Sequence, residues 1–240
     1  MKSCKMITAS VTIALLLAAS SNCVDDRQVK KEGQGTGPVL IEFEIHQDMG
    51  LIRQSLFGEP PQFAIWLEDA ASHRLQTVFV TYRSGYGEWV GKVKCPAALP
   101  RWFEVFKSET GSKELPDFDS PASDAVTGAT PVVEEFKTTV EFPFGGKWIC
   151  WIEMNLSGDF NEAYRAHDIE RRKVDVYFSG QPALVYRGRV TALPGEKVRP
   201  ELYGESVLGS DGGVKIQPVS EGVTTAKDIF KTIEIRVDER

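Results

Sequence analysis

The amino-acid sequence predicts an all-β chain folded as an antiparallel β-sandwich with one or two short helices. Three observations carry this. Val39, Ile41, Phe43 and Ile45 alternate with Glu42, Glu44 and His46, the two-residue period of a half-buried strand. Similar segments recur at short intervals along the chain. Between them stand turn signals: Gly58-Glu59-Pro60-Pro61, Gly145-Gly146, Ser157-Gly158-Asp159, Pro194-Gly195 and Asp211-Gly212-Gly213.

Taken in order, Phe63, Ile65 and Leu67 repeat the alternation, and Gln76 to Tyr82 is β-branched and aromatic. Phe136, Thr138, Val140 and Phe142 mark a further strand. Trp148, Cys150, Ile152 and Met154 share one face of the next, with Ile149 and Trp151 opposite. Val174, Val176 and Phe178 follow, then ALVYRGRVTAL, then Glu201 to Leu208, and last Ile233, Ile235 and Val237. About nine or ten strands at this spacing suit an immunoglobulin-like sandwich. One helix is expected after Pro100, because Trp102, Phe103 and Phe106 have helical spacing. A second starts near Thr225, which is placed to cap it, with Asp228 at its third position. From Ser108 to Val132 the chain reads as one long loop, a length that in compact domains is functional or disordered.

Residues 1–22 read as an export signal: Lys2 and Lys5, then the apolar run Met6 to Ala19, then Ser20 and Ser21. Cys23 follows at the place of a lipoprotein acceptor, although Leu is absent three positions before it and Asn22 stands immediately before. The other reading is an ordinary cleaved signal that leaves Cys23 as a thiol. Residues 23–37 are polar and glycine-rich, a flexible tether reaching about 20 Å root-mean-square. The domain proper is 38–240. On either reading the chain is expected to be extracytoplasmic, in the periplasm or, when lipidated, as an outer-membrane or cell-surface lipoprotein.

The 240 residues carry a formal charge of −6, and the chain grows more negative when Lys2 and Lys5 leave with the signal. Phosphate binding needs clustered cations, so nucleic acid is not an expected partner. Cys4 departs with the signal, leaving Cys95 and Cys150 in an oxidising compartment. They form either a disulfide or two buried thiols; spacing alone does not decide.

The usual catalysts are missing. His46, His73 and His167 are far apart in unrelated contexts, and no phosphate-binding, zinc-protease or nucleophile-elbow motif occurs in a credible setting. Glu68-Asp69 reads as a solvated strand end. Asp159, Asn161 and Glu162 offer oxygens to a calcium ion or simply form a hairpin loop. The chain reads as a carrier or binding module more than as an enzyme with its own substrate.

The stretch Asp124-Ala125-Val126-Thr127-Gly128-Ala129-Thr130 remains. Asp-x-x-Thr-Gly is good turn chemistry, so a plain turn is one reading. The stretch also resembles the acceptor motif of covalently bound flavin mononucleotide (FMN), D-x-x-[ST]-G-A-T. There a flavin transferase joins the FMN phosphate to the last threonine hydroxyl. That resemblance makes Thr130 the acceptor and Asp124, Thr127, Gly128 and Ala129 its recognition motif. Pro131-Val132-Val133 follow where such domains often carry another Thr or Ser. Several pieces together resemble a family of periplasmic proteins, the domain of unknown function 2271: FAIWLEDA (63–70), PRWFEVF (100–106), DAVTGATP (124–131), WICWIEMNLSGDFNEAY (148–164) and GVTTAKDIFKTIEIRV (222–237). The resemblance implies a secreted β-sandwich associated with extracytoplasmic redox systems. Its partners would be a flavin transferase, a membrane redox protein and the membrane, through the lipid anchor. Tyr82, Tyr86, Trp89, Trp102, Trp148, Trp151 and Tyr164 are candidate walls for a flavin ring. The alternative is a cofactor-free cell-envelope module that binds an unknown ligand through its loops.

Overall fold

The computed structural model describes residues 37–87, 94–122, 126–168 and 173–240. The signal segment, Cys23, Trp89 and Asp124 lie outside these residues. In chain order the elements are β1 (Val39–Gln47), α1 (Met49–Gln54), β2 (Gln62–Asp69), β3 (Leu75–Thr81), α2 (Tyr82–Tyr86), α3 (Pro100–Thr110), β4 (Val126–Gly128), β5 (Glu135–Phe142), β6 (Lys147–Asn155), β7 (His167–Asp168) and β8 (Lys173–Val174). They continue with β9 (Ala183–Thr191), β10 (Lys197–Val198), β11 (Glu201–Leu208), β12 (Val214–Gln217), a 3-10 turn at Thr225–Asp228, and β13 (Phe230–Glu239).

Two sheets face each other. One has four strands in the order β10-β13-β1-β5; the other has seven, β12-β11-β9-β6-β2-β3-β4, and β7 and β8 form a small ribbon apart. The expected β-sandwich with short helices is therefore the observed architecture. Its core follows from the alternation. Ile41, Phe43 and Ile45 of β1 and Ile233, Ile235 and Val237 of β13 meet Phe63, Ile65 and Leu67 of β2 and Cys150, Ile152 and Met154 of β6. Phe63 is central: its ring lies 5.0 Å from Phe79, 5.1 Å from Phe136 and 5.5 Å from Phe230. Edge-to-face packing of this kind adds to plain burial.

The second face of the seven-stranded sheet is also buried. Helix α3 starts at Pro100, whose missing N–H costs nothing in a first turn. It lays Trp102, Phe103, Val105 and Phe106 over Ala64, Trp66 and Val80. Cover on both faces explains why β2 is buried at six successive positions, Gln62 to Leu67.

Four expectations are corrected. Cys95 lies in the cluster under α3, and Cys150 faces the sandwich core, so the two sulfurs sit on opposite sides of one sheet and are not joined. Val174, Val176 and Phe178 do not make a strand: β8 is two residues long, and all three side chains are exposed. Asp175 turns the chain there by accepting the N–H groups of Tyr177 (3.1 Å) and Gly180 (2.8 Å). Thr225 does not cap its turn; its hydroxyl donates to the Asp159 carboxylate at 2.6 and 2.7 Å. Finally, the sandwich is not wholly antiparallel, because β4 pairs parallel to β3.

Candidate functional site

The parallel pairing of β4 is built from the motif itself. Val126, Thr127 and Gly128 stand opposite Phe79, Val80 and Thr81. A parallel partner needs a crossover connection, here supplied by α2, α3 and the following loop. The two glycines at this pairing have packing reasons. A Cβ on Gly128 would come within 2.9 Å of Cε2 of Phe79. A Cβ on Gly85, in α2, would meet the Val80 and Thr127 methyls at 2.8 and 2.9 Å. Helix α2 therefore lies directly across the motif, and the Gly85 carbonyl accepts the Ala122 N–H at 3.0 Å.

After Gly128 the chain leaves the sheet. Ala129 is exposed and Thr130 half-buried. The Thr130 hydroxyl makes no hydrogen bond among the described residues. The far side of this loop is clamped by Gln47, which is fully buried at the end of β1. Its side-chain amide donates to the carbonyls of Val133 (3.0 Å) and Pro131 (3.5 Å), and its backbone N–H donates to Glu134 (2.7 Å). Thr130 thus sits on a short loop held at both ends.

Gly128 stands opposite Thr81, the last residue of β3, where that strand runs into α2; Thr130 follows two residues on. In and beside α2 the rings of Tyr82 and Tyr86 stack at 4.8 Å, with Phe118 6.2 Å from Tyr86. Tyr82 is 36% and Phe118 60% exposed, so the ledge faces solvent. The remaining wall candidates are elsewhere. Trp102 and Trp148 are core residues, Trp151 stacks on Trp66 at 6.3 Å, and Tyr164 packs against the main core. Phe118 carried no sequence signal beyond being an aromatic in a polar loop.

At the other end of the same edge is a cleft of about 620 Å³ between Leu75–Thr77, the end of α3 and Ala122. Glu109 closes the open strand here, accepting the Thr77 N–H at 2.6 Å and its hydroxyl at 2.5 Å. An unpaired strand edge is thereby satisfied by a side chain.

The other candidates resolve into structural roles. His73 pairs with Glu68 at 2.7 Å and His46 with Glu44 at 2.8 Å, while His167 lies edge-on to Phe178. Asp159 accepts from Thr225 and Gln181, and Asn161 accepts from the N–H groups of Ala163 and Tyr164. Asp159, through Thr225, and the Asn161 side-chain amide, which donates to the Gly222 carbonyl and the Thr224 hydroxyl, tie the 157–164 loop to the 222–225 loop, and the oxygens do not converge on a point. Burial pushes the Asp159 carboxyl upward, and its hydrogen bonds to Thr225 and Gln181 pull it back. Donor atoms of Glu44, His46 and Glu135 do lie within 4.8 Å of one another. Cations already serve these carboxylates, with Arg236 2.9 Å from Glu44 and Lys137 2.5 Å from Glu135. The hydrogen bond from His46, followed by Arg236 and Lys137, outweighs burial and holds the Glu44 carboxyl below its usual range.

One functional group was not anticipated. Glu153 is completely buried on β6 and accepts the N–H groups of Arg101 (3.1 Å) and Trp102 (2.7 Å), with the Ser206 hydroxyl also donating to it. It caps α3 from across the sheet. The only hint in sequence is a lone acid inside the apolar run WICWIEM.

No family model matches this chain, and neither a curated protein nor a solved structure is similar to it.

Proposed function

We propose that this protein is an exported, lipid-anchored redox carrier holding FMN covalently on Thr130. The observation that carries the reading is the setting of DAVTGAT. Among the described residues the Thr130 hydroxyl makes no hydrogen bond; it stands on a loop clamped at both ends, two residues past Gly128, which pairs with Thr81 just before α2 and its exposed aromatic ledge. Attachment joins the Thr130 oxygen to the FMN phosphate of flavin adenine dinucleotide; AMP leaves and takes up the hydroxyl proton. Exposed Ala129, just before the acceptor, leaves a transferase cleft room there. Tyr82, Tyr86 and Phe118 offer the apolar face on which a flat ring rests. When bound, the flavin accepts and donates one or two electrons. Outside the cytoplasm a covalent link keeps the cofactor from diffusing away. A lipid on Cys23 and the tether 23–37 hold the domain near a membrane redox partner. The resemblance to the domain of unknown function 2271 points the same way. A cofactor-free envelope module that binds a ligand is the alternative, and the arginine-lined cleft beside β9 and β11 favours it.

Co-expression in the periplasm with a flavin transferase tests the reading. The purified wild type is expected to be yellow after denaturation and gel filtration. Thr130→Ala is expected to lose all covalent flavin, and Thr127→Ser to keep it. A colourless wild type, under conditions that label a control flavoprotein, would favour the alternative.

A further inference from the structure

We propose that the cleft between β9 and the β10–β11 connection binds the carboxylate of an acidic sugar, a uronic-acid oligosaccharide. The cleft measures about 350 Å³ and is lined by Arg187, Arg189, Arg199, Glu201, Leu202 and Tyr203 among others. Three arginines and one glutamate thus line the cleft, on a chain whose net charge is −6. Such a local reversal of sign marks a place for an anion.

The arginines are not spent internally. Arg189 is exposed and has no carboxylate partner among the described residues. Arg199 is 81% exposed and touches Glu234 only at 3.5 Å. Arg187 is oriented by rings: its guanidinium carbon lies 5.0 Å from the Trp151 ring and 5.1 Å from that of Tyr203. Its buried Nε has no hydrogen-bond partner among the described residues. Stacking of this kind holds the planar fork at low cost in freedom, the state in which arginine best recognises a carboxylate with two parallel bonds.

The rest of the lining selects the ligand. Tyr203 is 50% and Leu202 38% exposed, so a flat apolar face lies beside the cations. A sugar ring lays its C–H face on such a surface, while Glu201 offers an acceptor to its hydroxyls. A bare phosphate would use the arginines and leave the ring face bare. Gly188 forms part of the floor: a Cβ there would approach Val198 to 3.0 Å and Pro200 to 3.3 Å. The site stands apart from Thr130 and does not depend on a flavin.

Calorimetric titration of the mature domain with oligogalacturonate and with oligomannuronate tests the proposal. At least one is expected to bind. Its methyl-esterified form, with the same rings and no charge, is expected to bind at least about tenfold more weakly. The exposed double variant Arg189→Ala/Arg199→Ala is expected to show a similar loss, and Tyr203→Ala a smaller one, with circular dichroism unchanged. Millimolar inorganic phosphate is expected not to displace the sugar. Absence of binding by both uronates, equal binding of the ester, or displacement by phosphate at similar concentration would overturn it.

Discussion

Replacing Glu153 by alanine is expected to destabilise the protein by about 4 kcal/mol. The substitution leaves the Arg101 and Trp102 N–H groups and the Ser206 hydroxyl without their acceptor, in a site with no access to water. Unsatisfied buried donors cost about 1–3 kcal/mol each. Helix α3 has no other side-chain cap, since Leu99 occupies the cap position. The loss therefore falls on the helix that covers the outer face of the seven-stranded sheet.

The same residue sets a pH dependence. Burial pushes the Glu153 carboxyl up to about 7, against an ordinary 4.5, with the hydrogen bonds from Ser206, Trp102 and Arg101 limiting the rise. The folded chain then holds the proton more tightly than the unfolded chain. Its stabilising contribution is complete below about 4.5 and is lost as pH climbs through about 7. A rise of that size corresponds to about 3 kcal/mol across the window. Glu153→Gln keeps one acceptor oxygen and cannot ionise. Urea unfolding at a series of pH values is expected to show falling wild-type stability between pH 5 and pH 7, and a flatter profile for the glutamine variant. Parallel profiles would mean that Glu153 stays ionised throughout.

Gly87→Ala is expected to cost about 3 kcal/mol, lowering the melting temperature by about 6–12 °C for a domain of this size. Two effects add. Gly87 has φ +63°, a left-handed conformation that a Cβ disfavours. The added Cβ would also stand 2.1 Å from the Pro116 carbonyl oxygen, so backbone must move. Gly111→Ala separates the two. It has φ +71° but nothing within 4 Å of its Cβ, so only the conformational cost of about 1 kcal/mol remains. Thermal melts of the pair should therefore differ widely. Under the proposed function the Gly87 contact has a second consequence. It locks the 111–122 loop, which carries Phe118 and ends at Ala122 beside the motif, so Gly87→Ala is expected to lower the flavin yield as well.

Much of the frame was legible in sequence. Strands with one face on the core announce themselves by alternation, which is why β1, β6, β9, β11 and β13 fall where the pattern places them. Helix α3 was legible from Pro100 and its aromatic spacing. What failed was long-range. Three residues, Val126 to Gly128, carry no periodicity, and their partner β3 lies far back in the chain, so a parallel edge strand looked like a loop. Val174, Val176 and Phe178 alternate without a core to face. Cys150 can be assigned to a face of β6, but the side on which Cys95 lies is decided by how α3 packs. Glu153 and Gln47 read as ordinary polar positions, because the backbone groups they satisfy belong to remote segments. At the candidate site Thr130 stood out in sequence only as the last residue of a motif. The ledge of Tyr82, Tyr86 and Phe118 depends on α2, a five-residue helix that interrupts what reads as one strand.

Fragmentation mass spectrometry of the 114–137 tryptic peptide, from protein co-expressed with a flavin transferase, tests the central claim most directly. The expected result is one added FMN less one water, localised to Thr130 and absent from Thr127. An unmodified peptide, beside a control flavoprotein labelled in the same cells, would contradict it and leave Val126–Gly128 as no more than the edge strand of the seven-stranded sheet.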